Sequence, residues 1–257
     1  MVISRKALCL TIAVIASLLM WTPWARAVPT LDLTMEGAHG YINGAYFTVA
    51  DPTGTGSGHI DSFVRIQYNG TPEEGYNTDG TLEFQTKSGA HTHSLLLTNV
   101  PVVQIEGVDC REFLLDIDEP GTVSDAGRLL SLDSMQIFLA DSGSLTGYPS
   151  LGTKIFDLDP VGADNWILLD ATLRSGSGSG DMFAYIPNSL FNPSLGSYVY
   201  LYSKFGVNNA NNGGPDEWAV RTPTGEPPVP PIPAPGAVLL VLLGGNLAVS
   251  LHRRRMI

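Results

Sequence analysis

Tyr198-Val199-Tyr200-Leu201-Tyr202 alternates a phenol with an aliphatic side chain over its whole length. Successive side chains of an extended chain point to opposite faces, so this stretch reads as a β-strand with three tyrosines on one face. It has many companions. Phe63–Tyr68 is rich in β-formers and ends at Asn69-Gly70, a favoured turn pair, and Thr81–Thr86 alternates Leu82 and Phe84 with polar residues. Further short runs lie at Ser94–Leu97, Val102–Ile105, Phe113–Ile117, Met135–Leu139, Trp166–Leu169 and Met182–Ile186, each bounded by Gly, Pro, Asn, Asp or Ser. Between residues 28 and 225 no stretch keeps helical spacing over three turns, and Ser131–Leu139 is the one candidate for a single turn. Many short strands without alternating helices predict an all-β protein, an antiparallel β-sandwich or jelly-roll-like domain spanning 28–222.

The composition fits an ectodomain with a single core. Of 257 residues 15% are charged, against about 25% in ordinary soluble domains. Residues 28–236 hold all 25 acidic residues but only 8 Lys and Arg, a net of −17. Such a surface repels nucleic acid and anionic headgroups and attracts divalent cations or basic partners. Of the two cysteines, Cys9 lies in a segment expected to be removed. A mature chain with Cys110 alone has no internal disulfide, and Cys110 beside Phe113 and Leu114 reads as a small buried hydrophobe.

The two ends carry the clearest signals. Arg5 and Lys6 precede an apolar run from Ala7 to Met20, and Ala25-Arg26-Ala27 then supplies the small-x-small pattern that signal peptidase accepts. Residues 1–27 are thus a signal peptide, with Val28 as the mature start. At the other end, Glu226–Pro235 reads EPPVPPIPAP, extended by its prolines, within a linker spanning 223–235. Gly236–Leu251 is apolar and leads to His252 and Arg253-Arg254-Arg255, in a tail spanning 236–257. As a hydrophobic helix the run is about 24 Å long, short of a bilayer core of about 30 Å unless the arginines snorkel. The arginines stay on the cytoplasmic side and stop transfer.

A proline motif, a small-residue apolar helix and a terminal arginine cluster together resemble the PEP-CTERM sorting signal of Gram-negative bacteria. The resemblance covers residues 231–255, with Pro231-Ile232-Pro233-Ala234-Pro235 standing where the usual motif is Pro-Glu-Pro. It implies processing near the prolines by exosortase, an inner-membrane cysteine protease/transpeptidase, and a surface destination often associated with exopolysaccharide. Anchoring in the inner membrane precedes that step.

Candidates for chemistry are sparser. Asp116-Ile117-Asp118 and Asp157-Leu158-Asp159 each open a D-x-D-x-x-G segment, the kind of turn that gathers oxygens for Ca²⁺, yet neither continues as an EF-hand loop. His91-Thr92-His93 would place two imidazoles on one strand face without a third ligand. Tyr198, Tyr200 and Tyr202 at about 7 Å spacing would stack on sugars if exposed, or line the core if buried. No G-x-S-x-G, H-E-x-x-H or P-loop motif occurs. Two function classes follow: a non-enzymatic surface or matrix protein that touches polysaccharide, and a secreted carbohydrate-active hydrolase.

Overall fold

Leu129–Ala140 is the longest strand and shows how this sequence builds a two-sided sheet. Leu130, Leu132, Met135, Ile137 and Leu139 all reach the core, although strict alternation would put the last three on the opposite face. Against its neighbour, Ser134 pairs with Lys204 but Leu132 pairs with Phe205, so Asp133 is an extra, unpaired residue. This bulge resets the parity and keeps both halves facing inward. The apparent helical spacing of Ser131–Leu139 is the imprint of that bulge, and the segment is strand.

The computed structural model describes residues 28–50, 61–68, 72–120, 127–174, 180–210 and 213–221. The strands are β1 Leu31–Asp32, β2 His39–Ile42, β3 Ala45–Val49, β4 Asp61–Ile66, β5 Glu73–Tyr76, β6 Leu95–Leu96 and β7 Val102–Ile105. There follow β8 Val108–Asp116, β9 Leu129–Ala140, β10 Thr153–Asp157, β11 Ile167–Asp170, β12 Met182–Pro187, β13 Tyr198–Phe205 and β14 Asp216–Val220. No α-helix occurs among the described residues, and none of them forms a helix long and apolar enough to cross a membrane.

The strands form two seven-stranded sheets. The first runs β1-β11-β9-β13-β5, with β10 also on β9 and β6 also on β13. The second runs β2-β3-β12-β8-β14-β4, with β7 also on β8. Pairing is antiparallel except for β1 with β11, which is parallel, so the first sheet is mixed. Inner-face residues such as Phe47, Phe113, Leu115, Met182 and Trp218 from one sheet meet Leu130, Ile137, Leu201 and Phe205 from the other in a single core. Trp218 is fully buried, and its Nε1–H donates to Ser203 Oγ at 3.0 Å, tying β14 to β13 across the sandwich. Burying a side chain of this class contributes about 3 kcal/mol, so this one residue matters to the whole assembly.

Two expected strands are not strands. Thr81–Thr86 is a turn with a single bridge between Ile66 and Thr86, and Phe84 takes φ 58°. Side chains replace the ladder there: Glu74 N–H donates to Gln85 Oε1 at 3.1 Å, and Tyr76 N–H donates to Thr86 Oγ1 at 3.3 Å. His91-Thr92-His93 is likewise a turn, in which His91 Nδ1 lies 2.8 Å from Ser62 Oγ and His93 Nδ1 lies 2.8 Å from the Ser94 carbonyl. The two imidazoles share no strand face. Cys110 is buried as expected.

Candidate functional site

Each sheet has an outer face, and the tyrosines of β13 lie on that of the first. Tyr200 and Tyr202 are almost wholly buried there and Tyr198 is half-buried, so the burial alternative holds for two of the three expected sugar-stacking rings. The cover is the loop 141–152, whose Leu145, Tyr148 and Leu151 pack onto Tyr76, Phe138, Tyr200 and Tyr202. Gly152 closes this loop at φ +111°, where a Cβ would sit 2.3 Å from the Leu139 carbonyl oxygen. Only glycine fits both demands.

The loop is held by hydrogen bonds as much as by rings. Tyr200 Oη donates to the Ser142 carbonyl at 2.6 Å and accepts from Leu145 N–H at 2.9 Å. Glu83 accepts from the Tyr76 hydroxyl and from the backbone N–H groups of Gly147 and Tyr148. The Tyr76 bond holds the Glu83 carboxyl below its usual range. Burial, and then the Glu83 carboxylate, pushes the Tyr76 phenol well above its own. Burial likewise raises Tyr202, reinforced by the Glu74 carboxylate that accepts its proton. These phenols are fixed donors at any physiological pH.

At the rim of this cluster the chemistry reaches solvent. Tyr148 stacks on Tyr202 at 4.0 Å, and Phe84, 47% exposed, meets Tyr76, Tyr148 and Tyr202 edge-on at 5.9 to 6.4 Å. A phenylalanine at positive φ is strained by about 1–3 kcal/mol, and such strain concentrates where a side chain is being aimed. Beside the rings lies a polar strip across four strands, β5, β13, β9 and β10. Tyr148 Oη donates to Gln136 Oε1 at 3.0 Å, Gln136 Nε2 donates to Asp157 Oδ2 at 3.2 Å, and Lys154 Nζ reaches the same oxygen at 2.5 Å. Lys204 faces Glu74 at 3.9 Å. The structure thus brings Asp157 and Tyr202 into one row, since Tyr202 pairs with Gln136 and Gln136 with Asp157. Phe84 and Gln136 belong to this surface but were not among the sequence candidates. For the covering loop the only sequence signal was a Tyr and two Leu in a segment otherwise rich in Gly and Ser.

The two Asp pairs are not brought together. Asp157 and Asp159 end β10 in the first sheet, where Asp157 Oδ1 accepts from Asp159 N–H and Asp159 Oδ1 from Asn165 N–H. Asp116 and Asp118 end β8 in the second sheet, where Asp116 Oδ1 accepts from Gly180 N–H at 3.3 Å. Among the described residues no group of three or more His, Cys, Asp or Glu is arranged to hold a metal ion. Instead, Asp116 and Asp118 border a set of buried carboxyls. Asp216 and Glu73 are fully buried in contact with each other. Burial raises both, Asp216 furthest. Asp181, 6% exposed, is raised by burial and then by Asp116 nearby. Its Oδ2 accepts from Ile117 N–H, and its Oδ1 is buried without a hydrogen-bond partner.

The signal-cleavage residues Ala25 and Ala27 and the tail residues Pro231, Pro233, Pro235, Arg253, Arg254 and Arg255 lie outside the described residues, while Val28 is described and exposed. No protein-family model, no curated protein and no solved structure matches the chain.

Proposed function

We propose that this is an exported, non-enzymatic surface or matrix protein. Signal peptidase releases it at Val28, and a PEP-CTERM-like tail then holds it in the inner membrane. Gly236–Leu251 forms the membrane helix and Arg253–Arg255 stay inside. An exosortase-type enzyme processes the chain near Pro231, Pro233 and Pro235, and the acidic sandwich is delivered outside. The supporting observation is where the described strands lie along the chain. Among the described residues the first strand begins at Leu31, just past the expected cleavage site, and the last ends at Val220, just before the proline stretch.

Outside the cell, the domain contacts polysaccharide through the rim of the first sheet. Exposed Phe84 and half-buried Tyr148 supply apolar ring surface. Glu74, Gln136, Asp157, Lys154 and Lys204 supply hydrogen-bonding groups beside it. A hydrolase would need two carboxyls about 5–10 Å apart around the scissile bond. Glu74 and Asp157 stand on strands three spacings apart, roughly 14 Å, so this face suits binding better than cleavage. The close pair Glu73–Asp216 is fully buried, out of reach of a polymer. Affinity electrophoresis through gels containing the producing cells' exopolysaccharide tests the reading. The parent domain is expected to be retarded and Phe84→Ala much less so. Equal mobility of both with and without polysaccharide would remove this face from the proposal.

A further inference from the structure

The outer face of the second sheet carries its own aromatic row, and the chain leaves the domain at one end of it. Tyr41 on β2 pairs with Tyr46 on β3, Tyr46 with Tyr185 on β12, and Tyr185 with Glu112 on β8. Beyond Glu112, Arg221 follows β14, ion-paired to Glu112 and stacked 4.9 Å over the Phe183 ring. Ring centroids along the row are 5.0 Å apart from Tyr41 to Tyr46 and 6.0 Å from Tyr46 to Tyr185. The row opens to solvent toward β2: Tyr185 is 8% exposed, Tyr46 is intermediate, and Tyr41 is 56% exposed. The turn between β7 and β8 walls its far end, where the Tyr41 hydroxyl donates to Glu106 at 2.8 Å.

What comes after Arg221 matches this row in chemistry and length. Thr222-Pro223-Thr224-Gly225 has Pro and Gly where a type I turn wants them, at its second and fourth positions. Glu226-Pro227-Pro228-Val229-Pro230-Pro231-Ile232-Pro233-Ala234-Pro235 follows. Proline-rich chains form a preorganised, extended helix whose pyrrolidine faces dock on rows of aromatic rings at small entropic cost. From Arg221 to Tyr41 is four strand spacings, roughly 19 Å, which about six residues at about 3.1 Å each would cross. A short tether gives an effective concentration in the millimolar range, so even a weak contact is well populated.

We propose that Pro227–Pro235 docks across Tyr185, Tyr46 and Tyr41 on the outer face of its own domain. The linker is then a clasp rather than a free tether. It brings the downstream tail to the β2 edge and withholds the proline segment from proteases until it is released. The docking is that of the chain before its tail is processed, and it does not depend on what the other face binds.

The test uses the full exported chain in one detergent, nitrated with tetranitromethane and mapped by mass spectrometry. The linker variant replaces Pro227, Pro228, Pro230, Pro231, Pro233 and Pro235 with Ser and leaves every residue of the domain unchanged. Tyr41 and Tyr46 should be nitrated about threefold faster or more in the variant, with Tyr68, just past the end of β4 and 49% exposed, unchanged as the internal control. A second arm, Tyr41→Ser, should speed cleavage after Glu226 by a glutamate-specific protease to a similar degree. Equal nitration in both chains overturns the proposal, as does faster nitration that includes Tyr68. Protection of Tyr46 that rises with protein concentration assigns the face to a second copy and overturns it too.

Discussion

Both sheets place tyrosines on an outer face, yet the two rows meet opposite fates. On the first sheet Tyr200 and Tyr202 vanish beneath the loop 141–152, and each phenol has a protein partner. On the second sheet the row from Tyr185 to Tyr41 becomes progressively more exposed. The strands have the same period-two pattern in both places. The difference lies in what covers each row: a short loop bearing Leu145, Tyr148 and Leu151 folds over one, and among the described residues no such loop lies over Tyr41. A tyrosine on a strand is therefore neither a core nor a contact residue until its cover is known.

The strongest way to break this comparison is to remove one ring from each row. Tyr202→Ala should cost about 3 kcal/mol in urea unfolding, in the range of large buried aromatics, while Tyr41→Ala should cost less than about 1 kcal/mol. Equal losses would mean that the two faces are covered alike. Gly152→Ala sharpens the same point from the loop side. The backbone at φ +111° and the close Leu139 oxygen leave no room for a methyl, so a loss of about 2 kcal/mol is expected.

A third contrast separates the aromatic faces from the buried carboxyls. Asp216, Glu73 and Asp181 have folded-state affinities for protons raised above those of the unfolded chain. Their contribution is therefore fully present below the unfolded carboxyl range, near pH 4, and is lost as pH rises through the folded values. Asp216→Asn imitates the protonated form. It should match the parent in melting temperature near pH 4 and exceed it at pH 8. A variant less stable than the parent at both pH values would contradict a raised Asp216. The smallest effect is expected at Phe84→Gly, where relief of positive φ offsets the lost ring contacts. Stability should change by no more than about 0.5 kcal/mol while polysaccharide retardation falls.

The sequence made the strand-rich middle readable because most strands keep one apolar face. Val102–Ile105 and Met182–Ile186 coincide with β7 and nearly with β12, and the run at Tyr198–Tyr202 extends into β13. Thr81–Thr86 misled because Leu82 and Phe84 alternate like a strand while the backbone turns at Phe84, whose ring belongs to the aromatic cluster. Strands β2, β5, β10 and β14 escaped notice because they are short and contain Gly, Glu, Lys or Asp, whereas β3, Ala45–Val49, contains none of these and was missed despite its β-forming residues. The Glu73–Asp216 pair could not be read at all. Its members are far apart in the chain, and nothing local marks a carboxyl as buried. The polar strip was half legible, through Asp157 and Tyr202, because each sits in a patterned run. Its exposed rings sit in turns.

Export is the central claim, and the mature termini test it most directly. Cells producing the parent chain and a variant with Arg253, Arg254 and Arg255 replaced by Ser would be fractionated, and the protein's ends read by mass spectrometry. The account predicts a parent protein beginning at Val28, recovered at the surface or in the medium and ending near the proline motif. The variant should share that start and keep the folded domain's melting temperature, but fail to reach the same fraction. A parent protein that begins at Met1 in the cytoplasm, or a variant processed and placed like the parent, would contradict it.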